Sequence, residues 1–194
     1  MRTITRAVVG LVVAASFVAP SGSTMAAARP AAPNVAQRVN LQLTDLPKGF
    51  KSGVNGVEQH DDGTVERKAA AAASDADFYW KNAGGDRSVE VSTTVEYYRA
   101  TSDAVKFLPA GILAIAKPQF AKMHEKVQAC SIGEVCIYAS GMIYVSPMGN
   151  VMFRHKGFVV SVFVTQTGKS LPVANVDTFT PVLARIIAKR IDGA

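Results

Sequence analysis

Residue types that build catalytic and metal centres are scarce in this sequence. Its 194 residues include three histidines, two cysteines and one tryptophan. No stretch shows the ligand spacing of a zinc site, the fingerprint of a cofactor site or the Gly-x-Ser-x-Gly turn of a hydrolase. We therefore assign no catalytic residue and no metal ligand. We predict no cofactor and favour a protein that is not an enzyme.

Long apolar runs are also scarce. One such run, residues 7–19, follows a basic N-terminus and ends at Pro20. A helix needs about 20 residues to cross the hydrocarbon core of a bilayer, so this run is too short. The next segment ends in Ala26-Ala27-Ala28, the small-x-small pattern that a signal peptidase cuts. We predict a signal peptide over residues 1–28, with an uncleaved anchor as the alternative.

The predicted cleavage defines the compartment and the domain. No cysteine follows the apolar run, so no lipid anchor is expected at the cut. We expect a secreted or otherwise extracytoplasmic protein with no stable membrane span after cleavage. Residues 29–40 are rich in proline and alanine, which predicts a disordered tether. Residues 41–194 are about the length of one domain, and we predict a single α+β domain there.

Positive charge is present in mild excess but is not concentrated. The chain has 21 lysines and arginines against 15 acidic residues. The leader holds two of the basic residues and no acidic one, so the remaining chain carries a net charge of +4. No run of five or six basic residues occurs, and we therefore expect no nucleic-acid partner. The excess favours an anionic cell-surface polymer, and another secreted protein is the alternative partner.

Cys130 and Cys136 are the only cysteines. An even, closely spaced pair in an oxidising compartment predicts a disulfide. Gly133 would let the short loop between them turn. The alternative is a redox pair, but the spacing is not Cys-x-x-Cys and nothing nearby in the sequence lowers a thiol pKa.

The strand pattern is clearest at residues 89–97, where apolar and polar residues alternate strictly. Residues 78–80 precede a turn-rich break at 82–86, so these two segments predict a hairpin. The alanine run within residues 65–74 predicts a helix. Further along, we predict three or four strands between residues 135 and 164, with turns at 140–141, 147–150 and 156–157. The last of these strands is apolar on both faces and should be central.

Two amphipathic helices are predicted in addition. Thr101 or Ser102 would cap the first, whose apolar stripe continues to Val127 with a proline-induced break. The second covers residues 175–191, with an apolar face made of the residues listed here: Phe179, Val182, Leu183, Ile186 and Ile187. Adjacent strands with few helices indicate the α+β class, as a single twisted antiparallel sheet with helices packed on one face.

Exposed aromatic residues are candidates for a binding surface. Tyr97 falls on the buried face of its strand, which leaves Tyr98 and Tyr79 to face solvent beside Trp80. Such residues could form a platform for a glycan, because aromatic side chains offer an apolar body with a polar tip. His60 is a further candidate, since His60-Asp61-Asp62 is the one place where an imidazole adjoins two carboxylates.

Two chemical alternatives remain open. His60 oriented by a neighbouring acid would suit a small secreted hydrolase. A soft-metal carrier for copper is the other alternative, because thioether and imidazole ligands suit that metal. Its candidate ligands are Met123, His124, Met142, Met148, Met152 and His155. The leading hypothesis remains a non-enzymatic secreted domain that binds a ligand or partner at the cell surface.

Several short motifs follow one another along the chain in a recognisable order. Leu43-Thr-Asp-Leu-Pro-Lys-Gly-Phe50 is followed by a strand-plus-helix segment, by Ile132-Gly-Glu134 and by Val151-Met-Phe-Arg-His-Lys-Gly-Phe-Val-Val160. In this order the chain resembles a loose group of uncharacterised secreted bacterial α+β domains. Their pattern is a "DLP-Gly-aromatic" opening and a "Phe-Arg-x-Gly-x-Val-Val" hairpin. The resemblance implies the fold and the compartment, and it carries no activity. The two cysteines depart from the pattern.

Overall fold

The computed structural model of the chain describes residues 34–53, 70–113, 126–143, 146–168 and 175–194. In chain order these residues form helix α1 (Val35–Val39), a 3₁₀ turn (Leu43–Asp45), strands β1 (Lys51–Ser52), β2 (Ala72–Lys81) and β3 (Ser88–Tyr97), helix α2 (Thr101–Phe107), strands β4 (Lys126–Ala129), β5 (Val135–Ile143), β6 (Ser146–His155) and β7 (Phe158–Thr167), and helix α3 (Val176–Asp192). Within these ranges, no helix combines the length and the apolar character that crossing a bilayer requires.

The described strands form one antiparallel sheet in the order β1-β2-β3-β7-β6-β5-β4. Strand β7 therefore lies in the middle, where its residues Val160, Val162 and Val164 are fully buried. The central position predicted from its apolar character on both faces is confirmed. A single antiparallel sheet with helices also confirms the predicted α+β class.

The first hairpin is confirmed. Lys81 pairs with Ser88, and the ladder continues to Ala72 opposite Tyr97. This pairing also shows that the helix predicted over residues 65–74 is wrong at its C-terminal end, since Ala72 begins β2; residues 65–69 lie outside the described residues. The helical preference of alanine is worth under 1 kcal/mol per residue, so a ten-residue ladder with β3 outweighs it.

Residues 135–167 form three strands, β5, β6 and β7, which is the lower of the two predicted numbers. The chain does not turn at residues 140–141 or at 147–150, because β5 and β6 pair continuously from Val135 opposite Arg154 to Ile143 opposite Ser146. The turn at residues 156–157 is confirmed. Proline is tolerated at position 147 because the ladder between β6 and β7 begins only at Met148.

Helices cover both faces of the sheet. Helices α1 and α3 pack on the face that carries Val91, Val151 and Val160, which belong to the main core. Helix α2 packs on the other face, where Val159 and Met152 contact its residues and those that follow it. The sequence predicted helices on one face only, because strand alternation does not show to which side a connecting segment crosses.

The domain begins earlier than predicted. Residues 29–40 were expected to form a disordered tether, but within residues 34–40 α1 is capped by Asn34 and buries Ala36 and Val39; residues 29–33 lie outside the described residues. The buried side chain of Asn40 accepts a hydrogen bond from Thr93 at 2.7 Å. Arg190 of α3 donates to the backbone oxygen of Asn40 at 2.6 Å. A segment rich in alanine and proline can thus pack on a sheet through a few small apolar side chains, and its composition alone does not predict this packing.

Three details of the predicted helices are also wrong. The apolar stripe was continued to Val127, but this residue lies in β4 and pairs with Ala139 of β5. Most of the segment between α2 and β4 lies outside the described residues. Neither Thr101 nor Ser102 is the N-cap of α2, because the helix begins at Thr101 and Ala100 precedes it. In α3, Val182 is 48% exposed rather than part of the buried face.

Candidate functional site

A polar groove runs between α3 and the strands β4 and β5. It consists of two adjoining cavities of about 390 and 330 Å³, which share Ser140 and Asp177 in their lining. The strands contribute the floor, and the first turns of α3 contribute one wall. The first cavity is lined by Gln128, Cys130, Ser131, Ile132, Tyr138, Ser140, Asp177, Pro181 and Arg185. The second is lined by Lys126, Ser140, Gly141, Met142, Pro147, Met148, Asn175, Val176 and Asp177.

Gly149 allows α3 to approach the sheet at this point. A Cβ atom on Gly149 would lie 2.7 Å from Oγ1 of Thr180 and 2.9 Å from Cγ1 of Val176. It would also lie 3.1 Å from the hydroxyl of Tyr138. The glycine that suggested a turn is therefore a packing residue, because only a residue without a side chain leaves room for the helix.

A hydrogen bond crosses the middle of the groove. The hydroxyl of Tyr138 donates to Oδ1 of Asp177, and Ser140 lies on the same face of β5 two residues away. Burial raises the pKa of Tyr138 above its ordinary value, and the carboxylate of Asp177 raises it further. The phenol thus keeps its proton at neutral pH. Asp177 lies in the first turn of α3, where a negative charge is favoured by the helix dipole.

The disulfide loop supplies the other end of the groove. Cys130 and Cys136 form the predicted disulfide. Ile132 in the loop is 3% exposed and packs in the main core, which fixes the loop against α3. Gly133 has a φ of +66° and approaches the backbone of Arg154 closely, as a tight loop requires.

The groove has a positive side chain in each of its two cavities. Arg185 lines the first cavity and Lys126 lines the second, and both residues are exposed. Asp177 and Arg185 are roughly 12 Å apart along the helix at 1.5 Å per residue. The site therefore offers hydroxyl, amide and carboxylate groups in the middle and cations on either side, an arrangement suited to an extended polar ligand.

The aromatic platform predicted from the sequence is not present. Tyr98 was expected to face solvent, but it is 1% exposed, stacks on Phe107 and donates to Glu96 at 2.7 Å. Tyr98 keeps the face that the alternation predicts, but α2 covers this face, and Tyr98 packs there with Leu108 and Val159. Tyr79 and Trp80 are half-buried neighbours in β2 and face opposite sides of the sheet.

The residues of the hydrolase and metal alternatives are only partly described. His60, Asp61 and Asp62, like Met123 and His124, lie outside the described residues. Nε2 of His155 lies 2.7 Å from Oδ1 of Asp192, at the C-terminal end of α3. In the parts of the chain that the structure describes, no three histidine, cysteine, aspartate or glutamate side chains form a cluster suited to a metal ion.

The central residues of the groove were missed by the sequence analysis. Tyr138 and Ser140 are two residues apart in a strand, which places both on one face of the sheet. Asp177 and Arg185 are far along the chain in α3. No local pattern connects these positions, because the groove exists only where the helix docks on the sheet. The strand alternation alone could have indicated that Tyr138 and Ser140 share a face.

The chain matches no protein-family model, and no curated protein matches it. The resemblance to secreted bacterial α+β domains therefore stays a prediction.

Proposed function

We propose that this protein is a non-enzymatic, extracytoplasmic binding domain that holds an extended, hydroxylated anionic ligand in the groove between α3 and the strands β4 and β5. The observation that carries the proposal is the pair of cavities joined at Ser140 and Asp177. Lys126 and Arg185 lie in different cavities, so an anionic polymer could contact both cations while its hydroxyl groups bind between them.

The hydrogen bonds inside the groove support binding rather than catalysis. A general base must release and accept protons near neutral pH, whereas the raised pKa of Tyr138 keeps its phenol protonated. The hydroxyl of Tyr138 donates its hydrogen bond to Asp177. The second oxygen of that carboxylate remains available to a ligand hydroxyl. A rigid set of polar groups of this kind orients a ligand without reacting with it.

The test is a titration of the purified protein with trigalacturonate, a short polyhydroxylated anion, and with neutral maltotriose. We expect trigalacturonate to shift the amide resonances of Ser140 and Asp177 saturably, with maltotriose at least about tenfold weaker. Replacing both cations, Lys126→Gln with Arg185→Gln, should lower the affinity for trigalacturonate by about tenfold and reduce its dependence on salt.

Lys189→Gln is the matched control, because Lys189 is an exposed cation one turn beyond Arg185 on α3 and does not line either cavity. It changes the net charge of the protein by the same amount as Arg185→Gln alone. An equal effect of Lys189→Gln and Arg185→Gln would show that only overall charge matters. Binding that shifts resonances elsewhere, with the groove unaffected, would contradict the proposed site.

Export is part of the same proposal. A disulfide between Cys130 and Cys136 is typical of proteins that fold in an oxidising compartment, which supports the predicted signal peptide. Expression of the full chain in a bacterial host that secretes proteins tests this point. The expected product lies outside the cytoplasm and has an N-terminus at or next to residue 29. An unprocessed product that stays with the cytoplasmic fraction would contradict export.

A further inference from the structure

A separate cavity lies on the opposite face of the sheet, beneath α2. Its volume is about 290 Å³, and it is lined by Thr94, Glu96, Phe107, Met152, Val159 and Ser161. Thr94 pairs with Ser161, and Glu96 pairs with Val159, so these four residues are neighbours on β3 and β7. Phe107 from α2 and Met152 from β6 add an aromatic and a thioether wall. The cavity thus has an apolar side and a polar side.

The polar side presents hydrogen-bond acceptors. The hydroxyl of Thr94 donates to Oδ1 of Asp75 at 2.9 Å, and that of Ser161 donates to Oδ1 of Asn150 at 3.2 Å. Oε2 of Glu96 accepts a hydrogen bond from the hydroxyl of Tyr98. Each hydroxyl therefore donates its one hydrogen bond to a residue that does not line the cavity. What remains for a ligand is the lone pairs of two hydroxyl oxygens and the second oxygen of a carboxylate.

The charge around this cavity is negative. No lysine or arginine among the described residues lines it. The carboxylate of Glu96 lines the cavity and forms no ion pair with the described residues. Arg154 is on a neighbouring part of this face, but its guanidinium binds Glu134 and the backbone oxygen of Leu108. A ligand of matching charge must therefore be a cation.

We propose that this cavity binds a small organic cation, a primary ammonium group carried on an apolar body. An ammonium group has three donors and no acceptor, which matches the three acceptors of Thr94, Ser161 and Glu96. The apolar body would lie against Val159, Met152 and Phe107. The face of Phe107 can also attract the positive charge. This site is separate from the polar groove and does not depend on the ligand held there.

The experiment compares benzylammonium with two matched compounds, neutral benzyl alcohol and anionic phenylacetate. Binding is followed in the full secreted chain by the ¹³C-methyl resonance of Met152, which Met152→Leu assigns. We expect benzylammonium to shift this resonance saturably. Benzyl alcohol should bind about tenfold more weakly, because hydrogen bonds to a charged group are the stronger ones. Phenylacetate should produce no shift.

Glu96→Gln removes the charge but keeps an oxygen that can accept from Tyr98, and it should weaken benzylammonium binding by about tenfold. Glu90→Gln is the matched control, because Glu90 is on the same side of β3 but does not line the cavity. It should leave the affinity unchanged. Equal binding of the amine and the alcohol to the unsubstituted protein, or an equal effect of the two variants, would overturn the proposal.

Discussion

The hydroxyl of Tyr138 in β5 donates a hydrogen bond to the carboxylate of Asp177 in the first turn of α3. The two residues are 39 positions apart in the chain. Their contact joins the floor of the polar groove to its wall. Removing the hydroxyl should therefore affect both the stability of the protein and the shape of the groove.

Tyr138→Phe should lower the free energy of unfolding by about 1 kcal/mol at pH 7, the usual net worth of one hydrogen bond. The difference between the two proteins should shrink above pH 10. Folding raises the pKa of Tyr138, so its stabilising effect is complete below the unfolded pKa of about 10 and is lost as pH rises beyond it. Urea unfolding between pH 7 and pH 11 measures this; a constant difference would contradict the shift.

Gly149→Ala should lower the free energy of unfolding by about 1–3 kcal/mol, because the added methyl group would overlap Thr180 and Val176. Urea unfolding measures the change. Gly111→Ala is the control, since a Cβ atom there meets nothing within 4 Å. It should change stability by no more than about 0.5 kcal/mol. If the two variants are equally stable, α3 does not pack as closely on β6 as described.

Reducing the disulfide should cost about 2 kcal/mol, the chain-entropy value for a loop this short. We expect the reduced protein to remain folded, because the main core does not depend on the bond. Cys130 lines the groove, and Ile132 beside it fills the core. Reduction should therefore accelerate amide hydrogen exchange more in residues 130–136 than in β7. Global unfolding on reduction would show that the disulfide determines the fold.

A chain that begins at residue 34 should be as stable as one that begins at residue 29, whereas one that begins at residue 42 should lose about 3–6 kcal/mol. The shorter chain lacks Val39 and Leu41, which are buried apolar side chains of the type worth about 1.5–3 kcal/mol each. It also lacks the acceptor that Asn40 offers to Arg190. Thermal and urea unfolding of these proteins measure the difference. Equal stability would show that residues 34–41 do not stabilise the domain, as expected for a tether.

The strands were predicted best where their own composition decided the outcome. Alternation at residues 89–97 specified β3 and the face it buries, and the apolar character of β7 specified its central place in the sheet. The errors lie where tertiary contacts override a local signal. Gly149 was interpreted as a turn residue but is the contact point of α3, and Ala72 lies in a strand because β3 pairs with it.

The candidate site was hardly predictable, apart from the disulfide. The aromatic residues selected for binding are divided between two faces of the sheet, and Tyr98 is buried because α2 covers its face. The groove is lined by residues from three separate elements, Lys126 of β4, Tyr138 of β5 and Asp177 of α3. Hydrogen-bonding side chains of this kind are common on strands and helices, so their types alone give no sign of a site.

The amino-acid sequence by itself determined the α+β class, the first hairpin, the central strand, the final helix and the disulfide. Each of these depends on residue periodicity or on a short separation along the chain, and both can be seen in the sequence. Only the tertiary structure decided which side of the sheet each helix covers, and with that the positions of the polar groove and of the cavity beneath α2. That choice depends on the packing of distant residues, such as Thr180 over Gly149, which no local pattern encodes.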